Sequence, residues 1–279
     1  MTRRAPAQWR PIRSYFLILA GLLTASCGAR LTKLPTGPGE PAPDMAAATV
    51  QATAACSAVD SMTAEISASG SVGGRRLRAR LLAGFTTSSF RLEAVAPAGP
   101  PLFILVANGA DATLLLPRDE QVLEHGESDA VLEAIAGVRL GPSELLQTLT
   151  SCAMPGRSTT AFAIGEWRVA VGAHGAKRYL HRDSPSAPWH VATLLYPGEG
   201  ERWSWRADYG DFHQGLPSSI HLVSAEPRRF DLELALTQVE PGAVLDSDVF
   251  RVEVPRSARR ITLEDLRRSG PLGQHADGR

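Results

Sequence analysis

The chain has 279 residues, 44% hydrophobic and 21% charged, which is enough apolar material for a sizeable core and excludes a disordered chain. Its 29 basic and 29 acidic side chains cancel, which argues against a nucleic-acid binder. Gly 25 and Pro 20 imply many turns, and the length suits one or two domains. Arg3, Arg4, Arg10 and Arg13 precede the apolar run from Tyr15 to Leu23. That run is too short for a bilayer, which needs about 20 apolar residues. Small residues come next, Thr24-Ala25-Ser26, so the pattern predicts a secretory signal peptide over residues 1–26. A membrane-anchor helix is the alternative reading.

Leu23-Thr24-Ala25-Ser26-Cys27-Gly28 resembles a bacterial lipobox. The resemblance implies that Cys27 is lipidated and becomes the first residue of the mature chain. Gly28, in place of the Asp that retains such proteins at the inner membrane, implies the outer membrane. Two or more acyl chains would hold the protein stably. Ordinary secretion with an incidental Cys27 is the alternative. Loss of residues 1–26 removes four arginines and no acid, leaving 25 basic against 29 acidic residues, a net charge of −4. The mature chain is therefore expected to have no electrostatic reason to lie on an anionic membrane surface, and the lipid does the anchoring. Residues 27–44, rich in Pro and Gly, read as a tether that spans about 60 Å when extended.

Asp44 is a candidate N-cap for an alanine-rich helix over about 45–59. The period then becomes two. Met62, Ala64, Ile66 and Ala68 alternate with polar residues, Gly73-Gly74 marks a hairpin, and Leu77, Ala79, Leu81 and Ala83 alternate with Arg76, Arg78 and Arg80. This predicts a sheet with one wet face. The arginine row reads as a solvated outer face rather than a nucleic-acid patch. Leu102–Ala107 is apolar on both faces, so both should be covered. Asn108-Gly109 marks another hairpin. Helices are predicted over 128–136 and 142–152, with Pro142 in the first turn of the second. Strands resume near 162–164, 167–171, 177–181, 189–196, 203–208, 219–223 and 230–239, and a short helix starts at Thr262. Cys56 and Cys152 either bridge or remain buried thiols; sequence alone leaves both open.

No nucleophile elbow, zinc-protease motif, phosphate-binding loop or CxxC occurs. The seven histidines show no metal-ligand spacing, and Asp208 and Asp211 around Tyr209-Gly210 read as a polar turn. The chain is expected to be no enzyme, with no cofactor and no metal. The inward-facing apolar surface either packs solid or encloses a cavity.

Two stretches carry a further pattern: Phe90-Arg-Leu-Glu-Ala-Val-Ala-Pro97-Ala-Gly99, leading to a strand, Asn108-Gly109 and the helices; and Trp205 through Leu222 with its Leu216-Pro217, leading to the strand from Phe230. With the lipobox, they resemble the LolA/LolB lipoprotein-sorting family over roughly residues 45–240. The resemblance implies an α+β, mainly antiparallel fold: a curved half-open β-barrel of about ten to twelve strands with helices covering its concave face. It implies a cavity wall of Leu77, Leu81, Phe85, Phe90, Leu92, Trp203 and Trp205, and a lid of Leu132, Ile135, Leu145 and Leu149. The family's membrane-facing loop would fall at Ala98, Leu102 and Phe103, with Ala98 at the position where the family exposes a Leu. The implied partners are acyl chains of lipoproteins or lipids, a periplasmic LolA-like carrier and the outer membrane, for a monomer facing the periplasm. A lipid-anchored interaction or sensor module on the same fold is the alternative. Residues 241–279 form a C-terminal extension without a counterpart in the family.

Overall fold

The computed structural model describes residues 31–96, 98–153, 158–172, 175–198 and 203–269. The expected signal peptide and Cys27 lie outside the described residues. The two-residue period of the sequence becomes a long antiparallel meander. Strands β2 (Ser61–Val72) and β3 (Arg75–Thr86) pair along their full length. Gly73 and Gly74, at φ of 60° and 76°, supply the left-handed turn between them. β4 (Ser89–Val95), β5 (Phe103–Asn108), β6 (Asp111–Leu116) and β7 (Gln121–Glu127) continue the meander.

Two helices interrupt the strands, α2 (Ser128–Ala136) and α3 (Pro142–Leu149), after an earlier α1 (Met45–Thr53). Gly137 ends α2 in the left-handed conformation, and Glu144 accepts the Gly141 N–H at 3.0 Å to start α3. β8 (Ser158–Ile164), β9 (Trp167–Gly172), β10 (Lys177–His181), β11 (His190–Pro197), β12 (Trp203–His213), β13 (Leu216–Ser224) and β14 (Phe230–Pro241) complete the meander. β14 then returns to pair with β2, so both halves form one open sheet. Its ends carry two-residue strands: β1 (Glu40–Pro41) on β8, and β15 (Arg259–Arg260), parallel, on β7. The architecture is a curved, half-open β-barrel with few helices.

Register explains the core. Leu236, Ile66, Leu81, Ala94 and Phe103 form one continuous row across five strands. Ala64, Ala83, Leu92, Leu105, Leu114 and Leu123 form the next. Each row buries a stripe of apolar side chains on the concave face, where α2 and α3 lie over it.

The convex face is covered in two places. After β14 the chain crosses the outside of the first half, and Leu115, Val122 and Ala258 pack with Ile104, Val252 and Val254. Asn108 donates to the Phe250 carbonyl at 2.9 Å, and Arg91 to the Arg251 carbonyl at 3.1 Å. The extension thus covers the second apolar face of β5, the covering that its composition demands. β15 shields the β7 edge, and α4 (Leu263–Ser269) seats the fully buried Leu266 in the main core beside α2.

On the other half, residues 31–44 run along the sheet instead of standing free. The Thr32 N–H donates to Asp208 at 3.0 Å, Arg206 donates to the Thr32 carbonyl, β1 pairs with β8, and Asp44 binds Arg168 at 2.7 Å. This differs from the extended tether expected from the Pro/Gly content. Backbone pairing and two arginine contacts offset the conformational freedom of the strap. The strand of Trp203–Asp208 also runs further than expected. Asp208 is buried inside β12, bonded to Arg206 at 2.7 Å and Thr193 at 2.6 Å, and the turn falls instead at Gln214-Gly215.

Candidate functional site

Between the concave rows and the two helices lies a wholly apolar cavity of about 90 Å³. Leu77, Leu81, Phe85 and Leu92 come from β3 and β4, Phe103 and Leu105 from β5, and Leu222, Leu232 and Leu234 from β13 and β14. Leu132 and Ile135 of α2, and Leu145 and Leu149 of α3, close it from above. The spacings 132/135 and 145/149 put each pair on one helical face, toward the sheet. Among the described residues no polar side chain lines the cavity.

Eight of the residues named from the resemblance border this space: Leu132, Ile135, Leu145, Leu149, Leu77, Leu81, Phe85 and Leu92. Phe90 does not; it is fully buried behind it, opposite Phe85 in the sheet. Trp203 and Trp205 stand away from it. Trp205 shares the concave face with Ala207 but sits two residues nearer the rim, stacked on Tyr196 at 3.8 Å. Parity along β12 is readable from the sequence, whereas position along the strand depends on a register that sequence does not give. Phe103, expected in a membrane-facing loop, is a buried β5 residue in the cavity wall, because it pairs with Ala94 on the concave row. Leu102 is half-buried against the core. Only Ala98 of that trio is exposed, and Arg118 donates to its carbonyl at 2.9 Å. Ile66, Phe103, Leu105 and Leu222 are wall residues that the resemblance does not supply; of these, the two-residue alternation marks Ile66.

The lid is fastened unevenly. Cys56, in a turn after α1, bridges to Cys152 just beyond α3, with Cα atoms 5.5 Å apart. α1 itself packs on β9, β10 and β11. Arg178, only 1% exposed on β10, donates to the carbonyls of Cys152 and Ala153 at the same helix end. A cation there complements the negative end of the helix. Burial pushes the Arg178 pKa down to about 10, so it stays charged at neutral pH. Buried beside that end are further polar atoms without a hydrogen-bond partner among the described residues: Thr148 Oγ1, Ser151 Oγ, Arg178 Nε and Tyr209 OH. Burial also raises the Tyr209 pKa well above its usual value, which keeps the phenol neutral. α2 is held from outside, by Arg229 on Glu133 at 2.6 Å, by Arg139 on Asp129 at 2.7 Å, and by α4. Over the cavity, α3 presents Leu145 and Leu149. Among the described residues no group of three metal-ligand side chains comes together.

This architecture is shared with known structures. A LolA superfamily protein from Nitrosomonas europaea superposes with a TM-score of 0.51 at 13% identity, covering 74% of this chain and 97% of that one. A DUF1329 family protein from Desulfovibrio piger superposes with a TM-score of 0.51 at 10% identity, covering 76% of this chain and 98% of that one. No protein-family model and no curated protein matches the sequence. The chain has a LolA-like fold.

Proposed function

We propose that this protein is a membrane-anchored lipoprotein, attached through Cys27, that takes acyl chains into the cavity beneath α2 and α3 and takes part in lipoprotein sorting or insertion at the outer membrane. The observation that carries this reading is a cavity lined only by hydrocarbon and roofed by helices that are strapped at their far ends. In the closed form it is smaller than the roughly 150 Å³ of an engineered apolar cavity that accepts benzene. An acyl chain therefore enters only if the lid moves. Lifting Leu132, Ile135, Leu145 and Leu149 off the sheet exposes about 1.5–3 kcal/mol of apolar burial per side chain. A guest chain restores that burial, so opening is costly without a ligand and nearly balanced with one. The reaction is binding and hand-over, with no bond made or broken, and its natural donor would be a periplasmic carrier of the same fold.

Native mass spectrometry of the exported, disulfide-bonded chain tests this reading. A co-purified or added diacyl lipopeptide should bind one to one, and Leu149→Trp, which fills the space, should abolish binding while the protein stays folded. Absence of any lipid adduct from the wild-type chain would leave an anchored interaction module on the same fold.

A further inference from the structure

The outer face carries a positive patch that the balanced net charge conceals. Arg75, Arg76, Arg78 and Arg228 are exposed at the β2–β3 hairpin and the adjoining turn, Arg76 and Arg78 on the outer face and Arg75 with the parity of Leu77; Arg228 lies beside Gly74, and the Gly73 N–H donates to the Arg229 carbonyl at 2.9 Å. None of the four has a carboxylate within 4 Å among the described residues. The nearby acids are engaged: Glu65 by Arg80 at 2.6 Å, Glu226 by Arg229 at 3.3 Å, and Asp231 by His221 at 2.7 Å. Glu233 lies on the intervening strand β14.

A second observation puts the start of the domain on this same face. Thr32 is bound to Asp208 and Arg206. Register carries Arg206 through Val223, Asp231 and Ser71 to Arg76, and Asp208 through His221, Glu233 and Ser69 to Arg78. The strap and the arginines therefore stand at the same height on the sheet, four strand spacings or about 19 Å apart. Cys27 precedes Leu31 by four residues, a reach of at most about 14 Å.

We infer that the convex face around Arg76, Arg78 and Arg228 is a docking surface for an anionic phospholipid bilayer. Docking there holds the domain against the membrane beside its anchor point, not at the end of a long tether. The anchor argument rests on the proposed lipidation; the charge argument does not.

The test uses residues 27–279 with Cys27→Ser, exported behind a cleavable leader, so that no acyl anchor is present. Co-sedimentation is measured with vesicles of phosphatidylethanolamine and phosphatidylglycerol, and with vesicles of phosphatidylcholine alone. The anionic vesicles should bind, binding should weaken with salt, and Arg76→Ser with Arg78→Ser should cost about 30-fold, near fivefold per charge. Equal binding to neutral vesicles, no binding at low salt, or no loss in the double variant would each overturn the inference. Acyl-chain uptake measured by mass spectrometry on the same double variant should be unchanged, so failure of docking and failure of the cavity reading are separable.

Discussion

The two halves of the sheet share strand geometry and differ in what they enclose. Beneath α2 and α3, the rows from β2 to β5 and from β13 to β14 present only hydrocarbon, and a void remains. Beneath the end of α3, the concave row Ala170–Arg178–Leu194–Ala207–Leu222 carries a buried guanidinium, with Tyr209 two residues beyond Ala207 on the same face. The first half is arranged to exchange one apolar contact for another, and such contacts are non-directional. The second half holds its helix end with directional bonds and a covalent bridge. A lid needs both: a surface that tolerates replacement and a pivot that does not move.

The sharpest way to break that contrast is to cut the pivot. Cys56 and Cys152 are 96 residues apart, and the loop-entropy account gives about 4–5 kcal/mol for a closed loop of that size. Replacing both by Ser should lower stability by about 2–5 kcal/mol in urea denaturation and raise amide exchange through α3. An unchanged denaturation midpoint would show that α3 is held by packing alone. Arg178→Met is a smaller cut. It removes charged hydrogen bonds to the Cys152 and Ala153 carbonyls, each worth about 1.5–3 kcal/mol, and also removes a buried charge whose desolvation opposes folding. A net loss of about 1–3 kcal/mol is expected, with faster exchange confined to residues 150–153. Both bonds come from one terminal guanidinium nitrogen, so Arg178→Lys should rescue in part, to the extent that its ammonium reaches the same carbonyls. Uniform faster exchange along all of α3 would show that the pivot is not local.

Much of this contrast is legible in residue order. Alternation along Leu77–Ala83 and Phe90–Ala94 assigns the concave face correctly, because a one-residue slip would turn every leucine to water. The Pro142 start and the 145/149 spacing give the helix and its buried face, while its place over a cavity comes only from the family resemblance. The double-sided apolar run at Leu102–Ala107 announces a cover without saying which segment supplies it; that segment lies about 150 residues away and has little local pattern of its own. Arg178 is illegible for the same reason. Its strand, Lys177–His181, opens with two adjacent cations and shows no two-residue alternation, so nothing local marks Arg178 as the one that α3 and the disulfide close over. The buried state of Asp208 likewise depends on Arg206 and on Thr32 from the strap. Local period fixes which side a residue faces; distant chain decides whether that side is wet.

The smallest expected effect concerns acidification of the second half. His190 on β11 sits 4.9 Å from the Phe212 ring and 5.7 Å from His181. Burial, and then repulsion from His181, lower its pKa below the usual value of 6.5, only partly countered by Asp183. The sign depends on which state takes the proton. Above pH 6.5 the ring is neutral in both states and contributes nothing to pH dependence. As pH falls through 6.5 the unfolded chain binds a proton that the folded site resists, so stability declines until the pH reaches the lowered folded value. Urea midpoints at about pH 7.5 and about pH 5.5 should differ less in His190→Phe than in the wild-type chain, since the variant keeps the contact with Phe212 and cannot titrate. Acyl-chain binding should keep the same pH profile in both, because no titratable group among the described residues lines the cavity. A binding profile that shifts with His190 would mean that the two halves are coupled, and that the polar half does more than hold the hinge.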